Sequence, residues 1–252
     1  MAEKKVKTIL VSQPEPKTES SPYFDLAEKQ KVKIDFRPFI HVESVDSAEF
    51  RKDRVNLADY TAVILTSRNA VDNYFRIAEE TRFNVPDTMK YFCMSEAIAY
   101  YLQKYVVYRK RKIYYGKTRF EDLMPTIKKH KKETFLLPSS DILKPNIPSA
   151  LEEAKINYTR AILYKTVCSD LSDLSDVLYD ILVFFSPSGI KSLLENFPDF
   201  KQNDTRIAAF GPTTWKAVED AGLTLNIQAP SKDAPSMTMA LEQFIKKANG
   251  RK

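Results

Sequence analysis

Short apolar runs alternate with amphipathic segments along almost the whole chain. The apolar runs are rich in β-branched and aromatic residues, and most segments between them repeat apolar residues at helical spacing. Strands are predicted at residues 7–13, 32–40, 61–67, 89–94, 133–139, 158–167, 180–186, 206–211 and 224–229. Helices are predicted at residues 69–80, 95–105, 120–129, 144–155, 188–196, 213–221 and 236–247. This alternation predicts an α/β fold, with parallel sheets covered by helices.

The number of strands favours two sheets rather than one very wide sheet. Two long, polar strand segments, 32–45 and 158–169, are the natural crossing points between two domains. We expect a first domain built from both chain ends, residues 1–38 and 169–252, and an inserted second domain, residues 43–163. Residues 37–45 and 164–170 are expected to form the ribbon that links the domains.

Three strand-to-helix corners repeat one pattern. An apolar strand meets a few Ser, Thr, Pro or Gly residues, and a helix follows: "AVILTSRNAVDNYF" (62–75), "ILVFFSPSGIKSLLENF" (181–197) and "RIAAFGPTTWKAVEDAG" (206–222). Ser67, Ser188 and Thr213 are predicted N-caps, because their hydroxyls can accept hydrogen bonds from the first helical turn. Pro187 and Pro212 suit a helix start, since they have no N–H group to satisfy there.

The same corners have two interpretations. Capping alone accounts for each of them. However, ligands of open α/β sheets bind at the carboxyl ends of the strands, and a helix N-terminus attracts anions. Three such corners together favour a ligand with several carboxylates or phosphates.

Composition limits the partners, metal sites and cellular locations that we expect for this chain. The chain has 252 residues, a net charge of +6 and 43% hydrophobic residues. The charge allows nucleic acid, an anionic membrane surface or a small polyanion as the partner. Only two cysteines and two histidines are present, without zinc-ligand spacing, so we expect no metal. No apolar run is long enough to span a membrane, and the N-terminus lacks a signal-peptide pattern, so we expect a cytoplasmic protein.

Five motifs together resemble the uroporphyrinogen-III synthase family. They are "VILTSRNAVDNYF" (63–75), "RAILYKTV" (160–167), "FSPSGIKSLLENF" (185–197), "AAFGPTTWKAVEDAGL" (208–223) and "QAPSKDAPSMTMALEQF" (228–244), in the family's order. The resemblance implies two doubly wound, flavodoxin-like parallel-sheet domains, joined by a two-stranded ribbon with a cleft between them. It also implies a cofactor-independent lyase. This enzyme cyclises hydroxymethylbilane, with inversion of the terminal pyrrole ring, to uroporphyrinogen III and water.

The resemblance also assigns roles to individual residues. Tyr164 is expected to assist departure of the substrate hydroxyl, because a phenol is a directed hydrogen-bond donor. An alternative for Tyr164 is a purely structural role in the ribbon. The residues expected to bind substrate carboxylates are Thr66, Ser67, Asn69, Lys144, Ser186, Ser188, Gly189, Thr213 and Thr214. We expect a monomer whose partner is this polycarboxylate tetrapyrrole, with no nucleic acid, membrane or cofactor.

Some positions depart from the family pattern. In "YFCMSEAIAYYLQKY" (91–105), Met94 and Ala97 replace a glycine and a threonine, and Glu96 adds a negative charge. The basic segment "YRKRKIYYGKTRF" (108–120) can compensate by binding acidic groups, or it is a solvated strand edge, or it binds nucleic acid. The departures leave an alternative function open: an inactive protein of this fold that binds a tetrapyrrole or another polyanion.

Overall fold

A computed structural model describes residues 4–174 and 178–250. In chain order, its elements are β1 (Thr8–Val11), α1 (Pro22–Gln30), β2 (Lys33–Phe36), β3 (Ile40–Ser44), α2 (Ser47–Lys52), a 3₁₀ turn (Leu57–Asp59), β4 (Ala62–Leu65), α3 (Arg68–Glu80), β5 (Lys90–Cys93), α4 (Glu96–Leu102), β6 (Ile113–Tyr115), α5 (Phe120–Lys129), β7 (Phe135–Ser140), α6 (Asn146–Glu153), β8 (Tyr158–Cys168), β9 (Ile181–Phe184), α7 (Pro187–Asn196), β10 (Arg206–Phe210), α8 (Pro212–Asp220), β11 (Leu225–Ala229) and α9 (Met237–Ala248). The predicted α/β fold class is confirmed. Residues 1–3, 175–177 and 251–252, which the predicted first domain includes, lie outside the described residues.

The chain divides into two compact units. The first comprises Met1–His41 and Val167–Lys252, and the second comprises Val42–Thr166. The chain therefore passes between the units within β3 and again within β8, which are neighbours at one edge of the second unit's sheet. The role of residues 37–45 and 164–170 as a linking ribbon stays a prediction.

The first unit has a sheet in the order β11-β10-β9-β1-β2, with parallel pairing throughout. Numbered within the unit, this is the 2-1-3-4-5 order of flavodoxin-like folds. Alternate residues of β1 face opposite sides: Ile9 and Val11 pack in one apolar core, and Leu10 packs in the other. This alternation inside a fully buried strand explains the continuous apolar run in the sequence.

The second unit has a sheet in the order β3-β8-β7-β4-β5-β6. Its strands β4 to β8 are parallel and follow a second doubly wound order, in which β4 and β7 are the central pair. Val63 and Leu65 of β4 pack in one core, and Ala62 and Ile64 pack in the other. Helices thus cover both faces of the sheet. The carboxyl ends of β4 and β7 lie side by side at the point where the order of the strands reverses.

Four details differ from the predicted elements. The strand predicted at 32–40 ends at Phe36, and the chain enters a different sheet at Ile40; Pro38 lies in the break, and proline cannot donate to a strand ladder. Helix α1 was not predicted because only Leu26 and Gln30 of it are buried, which leaves no clear apolar stripe. Helix α2 and strand β6 are too short for a periodic pattern to indicate them.

Candidate active site

The predicted site residues fall into two groups, one in each unit. The second unit holds Thr66, Ser67, Asn69, Lys144 and Tyr164, and the first unit holds Ser186, Ser188, Gly189, Thr213 and Thr214. With the exception of Tyr164, which lies within β8, they follow the carboxyl ends of strands, where open α/β sheets bind ligands. Each group is described within its own unit.

The centre of the second unit's group is a contact between Tyr164 and Ser67. The Tyr164 hydroxyl on β8 lies 3.0 Å from the Ser67 Oγ, which directly follows β4. Strand β7 lies between these two strands, so the phenol reaches across it to the point where the sheet's strand order reverses. In doubly wound sheets, this reversal point opens the crevice that binds ligands.

Ser67 is held by a second interaction. It is the N-cap of α3, and its Oγ accepts a hydrogen bond of 3.1 Å from the Ala70 N–H, as predicted. Either hydroxyl can be the donor in the contact between Ser67 and Tyr164, and one arrangement has the Ser67 O–H donating to the Tyr164 oxygen. The Tyr164 O–H is then available to a third group.

The environment of Tyr164 keeps its phenol protonated. The side chain is 6% exposed and packs in an apolar core of the second unit. Burial raises the pKa of Tyr164, and the hydrogen bonds from Ser67 and the Ser140 backbone oppose that rise only in part. A neutral, hydrogen-bonded phenol at the end of a sheet can donate a proton or a hydrogen bond to a ligand oxygen.

The other predicted residues of this group are less constrained. Thr66 is half-buried beside Ser67, whereas Asn69 in the first turn of α3 and Lys144 in the loop after β7 are exposed. No direct contact joins them to Tyr164. Their roles as substrate ligands stay predictions.

Arg68 is a residue of this corner that the sequence analysis missed. It is the first residue of α3, and its guanidinium carbon lies 5.3 Å from the centre of the Tyr101 ring. The Tyr101 hydroxyl donates to both carboxylate oxygens of Asp72, at 2.9 and 2.8 Å, which fixes the ring under the guanidinium. No carboxylate pairs with Arg68 among the described residues, so its charge is available to an anion. Its position next to the Ser67 cap was the signal that could have found it.

The first unit's group surrounds the reversal point between β1 and β9. Ser186 follows β9 and caps α7, with its Oγ accepting from the Gly189 N–H at 3.3 Å. A methyl group added to Gly189 would lie 3.2 Å from the Phe184 ring and 3.8 Å from the Oγ atoms of both Ser12 and Ser186. Glycine therefore leaves space between two hydroxyls at the ends of adjacent strands. Ser12, the residue after β1, was not among the predicted site residues.

The predicted N-caps of α7 and α8 are wrong by two residues. The caps are Ser186 and Gly211, whereas Ser188 and Thr213 are each the second residue of their helix. The reason is the proline that starts each helix: proline is favoured at the first helical position, so the residue before it becomes the N-cap. Gly211 has a φ of 87° and offers no side-chain acceptor to the first turn of α8. Thr213 is exposed there, and Thr214 is buried.

Comparison with known proteins identifies the family. The family model described as Uroporphyrinogen-III synthase HemD matches residues 22–239. The chain belongs to the uroporphyrinogen-III synthase family. The predicted resemblance is thereby confirmed.

Named relatives agree with the family. The uroporphyrinogen-III synthase of Chlorobaculum parvum is 24% identical over 257 aligned residues, which cover 96% of this chain and all of that protein. That of Saccharomyces cerevisiae is 28% identical over 140 residues, so the match spans 49% of this chain and half the length of the yeast protein. The crystal structure of the Helicobacter pylori uroporphyrinogen-III synthetase has the same fold, with a TM-score of 0.61 at 18% identity, and the match covers 96% of this chain and all of that one.

The corner at the start of α4 lacks a side-chain cap. The Ser95 side chain makes no capping hydrogen bond, and Glu96 is the first residue of the helix. The Glu96 carboxylate accepts a hydrogen bond of 3.3 Å from the Tyr115 hydroxyl. A carboxylate in the first turn is favoured by the helix dipole. Glu96 therefore places a negative charge in the first turn of α4.

The basic segment of this synthase-family chain includes a strand at the sheet edge. Strand β6 is the outermost strand of the second unit's described sheet, as the strand-edge interpretation predicted. Arg109, ahead of β6, pairs with Asp87 at 3.4 Å. A cavity of about 370 Å³, lined by Phe75, Tyr91, Tyr105 and nine other residues, opens near the start of β6. It lies at the amino ends of β5 and β6, away from Tyr164, so we do not assign the site to it.

Two features are absent from the described residues, 4–174 and 178–250. No group of three or more His, Cys, Asp and Glu side chains there is arranged to hold a metal ion. No helix within those ranges has both the length and the apolar character needed to span a membrane.

Proposed function

We propose that this chain converts hydroxymethylbilane to uroporphyrinogen III, with the Tyr164 hydroxyl as the hydrogen-bond donor to the departing oxygen. The observation that carries the proposal is the 3.0 Å contact between Tyr164 and the helix-capping Ser67 at the reversal point of the sheet. Family membership supports the lyase-type cyclisation, and this contact supports the role of the residue.

The proposed first step breaks the carbon–oxygen bond of the substrate's hydroxymethyl group. The electron pair leaves with the oxygen, which takes a proton from the Tyr164 hydroxyl and departs as water. The Ser67 O–H donates to the phenol oxygen as negative charge develops on it, and the Ala70 N–H supports Ser67 in turn. Such a chain of donors polarises each successive bond, and it offsets part of the loss of acidity that burial causes in the phenol.

The remaining ring carbocation is an azafulvene that is stabilised by its own pyrrole nitrogen. The α-carbon of the terminal pyrrole ring that already carries the methylene bridge attacks it. The bond from that carbon to the bridge then breaks, and the bridge carbon bonds to the ring's other α-carbon, which loses a proton as the inverted ring regains its aromaticity. This proton balances the one that left with the water. Holding a flexible chain in one reactive conformation contributes most of the selectivity between isomers.

Substrate carboxylates are proposed to bind the hydroxyls and backbone N–H groups at the corners. In the second unit these are Thr66, Ser67 and Asn69, with Arg68 and Lys144 as cations. In the first unit they are Ser186, Ser188, Gly189, Thr213 and Thr214. Arg68 can make paired hydrogen bonds to a carboxylate while its guanidinium stays over the Tyr101 ring.

The finer properties of the enzyme are also proposals. We propose that it needs no cofactor, since proton donation and substrate orientation account for the reaction. We also propose a cytoplasmic monomer that binds no nucleic acid; the Arg109–Asp87 pair, which neutralises part of the basic segment, supports the last of these properties.

Isomer analysis tests the activity directly. Hydroxymethylbilane is generated in place by a deaminase, the products are oxidised, and the type I and type III uroporphyrins are separated by chromatography. Without the chain, spontaneous closure gives type I. Mostly type III product supports the synthase. Type I alone contradicts it, and tight tetrapyrrole binding without turnover would then favour the inactive binding protein, which the charge of Glu96 at α4 makes the second candidate.

A further inference from the structure

The segment of β7 and β8 that carries Tyr164 is irregular. The pairing runs regularly up to Ser139 opposite Ile162, and the next pair is Ser140 opposite Tyr164. Strand β8 therefore has one extra residue, Leu163, at this point. An extra residue breaks the ladder locally and changes the direction of the side chains that follow it. The position of the Tyr164 hydroxyl thus depends on how this irregular segment is fixed.

Arg160 fixes the β7 side of the segment. Its guanidinium donates three hydrogen bonds: from Nε to the Ser139 Oγ at 2.9 Å, and from Nη2 to the carbonyl oxygens of Ser140 and Asp141, both at 2.8 Å. These acceptors belong to three consecutive residues, which include the one opposite Tyr164. The side chain is on β8 itself, four residues before Tyr164, so it ties the two strands together at the irregularity.

Asp141 fixes the β8 side of the segment. Its backbone N–H donates to the Tyr164 carbonyl oxygen at 3.1 Å, and its carboxylate accepts from the Thr166 N–H at 3.0 Å. The Ser140 hydroxyl donates to the same carboxylate oxygen at 2.6 Å. Asp141 therefore holds the backbone of β8 at Tyr164 and two residues beyond it.

We propose that Arg160 and Asp141 are positioning residues, which set the Tyr164 hydroxyl at the reversal point by holding the irregular segment of β7 and β8. This inference rests on the proposed role of Tyr164. Neither residue touches the phenol hydroxyl or the Ser67 Oγ; both act through the backbone on either side of Tyr164. Two donor nitrogens in a planar fork, Nε and Nη2, reach three closely spaced acceptors, so lysine cannot replace arginine fully.

A double-mutant cycle tests this inference. Arg160→Met and Arg160→Lys are made in the wild-type chain and in Tyr164→Phe, and type III formation is measured for each. Displacing a reacting group by about 1 Å can cost about 100-fold in rate. We therefore expect Arg160→Met to lower kcat about 10- to 100-fold with KM within about 2-fold of wild type, and Arg160→Lys to restore part of kcat. In the Tyr164→Phe background, Arg160→Met should change kcat by less than about 2-fold, because residues that act through one group are not additive.

The matched control is Arg111→Met. Arg111 is an exposed arginine ahead of β6, at the other edge of the same sheet, and its substitution should leave kcat unchanged in both backgrounds. Equal losses from Arg160→Met in both backgrounds would overturn the positioning role and leave the role of Tyr164 intact. A Tyr164→Phe variant as active as wild type would overturn both, and type III product would still uphold the synthase activity.

Spectroscopy gives a readout that does not depend on turnover. A 3-fluorotyrosine placed at position 164 reports the environment of the ring by ¹⁹F NMR. Asp141→Asn and Arg160→Lys should shift or broaden this resonance, and Arg111→Met should not. If Arg160→Met does not fold, these two milder variants carry the same double-mutant cycle. An unchanged resonance in both, with unchanged kcat, contradicts the inference.

Discussion

Replacement of Tyr164 by phenylalanine removes one oxygen atom and keeps the ring in its apolar core. The lost interactions are the 3.0 Å hydrogen bond with the Ser67 Oγ and the hydrogen bond from the Ser140 backbone. Ser67 keeps its bond from the Ala70 N–H. A hydrogen bond of this kind contributes about 1 kcal/mol, which is small beside a typical unfolding free energy of about 5–15 kcal/mol. The variant should therefore stay folded at ordinary temperatures.

The expected effect on catalysis is much larger. Removal of one donor that stabilises developing negative charge in a shielded site lowers kcat by about 100- to 1,000-fold, or about 2.7–4 kcal/mol in activation free energy. We expect a loss in this range for type III formation by Tyr164→Phe. KM should change little, because the hydroxyl acts on the departing oxygen rather than on the carboxylates. Product isomers separated by chromatography, at several concentrations of freshly generated hydroxymethylbilane, give both constants.

A second tyrosine on the same strand is the matched control. Tyr158 starts β8, and its hydroxyl donates to Glu152 at 3.1 Å, at the opposite end of the strand. Tyr158→Phe also loses one phenol hydrogen bond, and it should keep wild-type kcat. If Tyr164→Phe forms type III uroporphyrinogen at the wild-type rate, the reasoning about the phenol is refuted. If both variants lose activity equally, the loss reflects the strand and not the hydroxyl.

Three further outcomes are expected. Ser67→Ala should cost about 1 kcal/mol of unfolding free energy through the lost N-cap, and it should also lower kcat. Ser236→Ala, which removes the equivalent cap of α9, should cost similar stability and leave kcat unchanged. Equal kcat in both variants would contradict the role of Ser67. Glu96→Gln should lower KM about 2- to 5-fold at low salt by removing a charge that repels substrate carboxylates, and this gain should shrink in high salt; a higher KM would mean that Glu96 assists binding. Partial burial tends to raise the pKa of Asp141, but hydrogen bonds from Ser140 and from backbone N–H groups outweigh it, so the pKa in the folded state is lowered. The stability that the Asp141 carboxylate adds is therefore present above the unfolded-state pKa of about 3.9. It is lost as the pH falls through the lower folded-state pKa. Urea unfolding at pH 7 and near pH 3 should therefore show a difference between wild type and Asp141→Asn that shrinks in acid, and a constant difference would argue against this linkage.

The sequence predicts most of the fold because its strands are buried on both faces. The strand Ile181–Phe184 is apolar at every position, and the hydroxyl residue Ser186 follows shortly after it. The sequence therefore shows both that this element is a strand and roughly where it ends. Strand β2 carries no such signal, since none of its residues is fully buried. The strand predicted across Pro38 failed for a related reason: apolar residues on both sides of the break belong to two different sheets.

The candidate site was predicted in part. The capping role of Ser67 follows from local chemistry, and Tyr164 follows from the family resemblance. Their contact does not follow from either, because Ser67 and Tyr164 are 97 residues apart, and the extra residue in β8 that aims the phenol leaves no mark on the sequence pattern. Arg68 was missed for a similar reason, since an exposed arginine at a helix start looks like an ordinary surface charge until Tyr101 is placed beside it.

The division of the first unit between the two chain ends has a consequence for the order of folding during synthesis. Strand β1 leaves the ribosome before the second unit does, but one of its two neighbours, β9, begins at Ile181. The second unit is continuous from Val42 to Thr166 and has all its own strands before β9 is made. We therefore expect the second unit to fold first, while β1 and β2 remain exposed to solvent without β9, the partner strand of β1. Aggregation of the nascent chain should depend on the time between synthesis of β1 and synthesis of β9, and a chaperone should bind the exposed apolar residues most during this time.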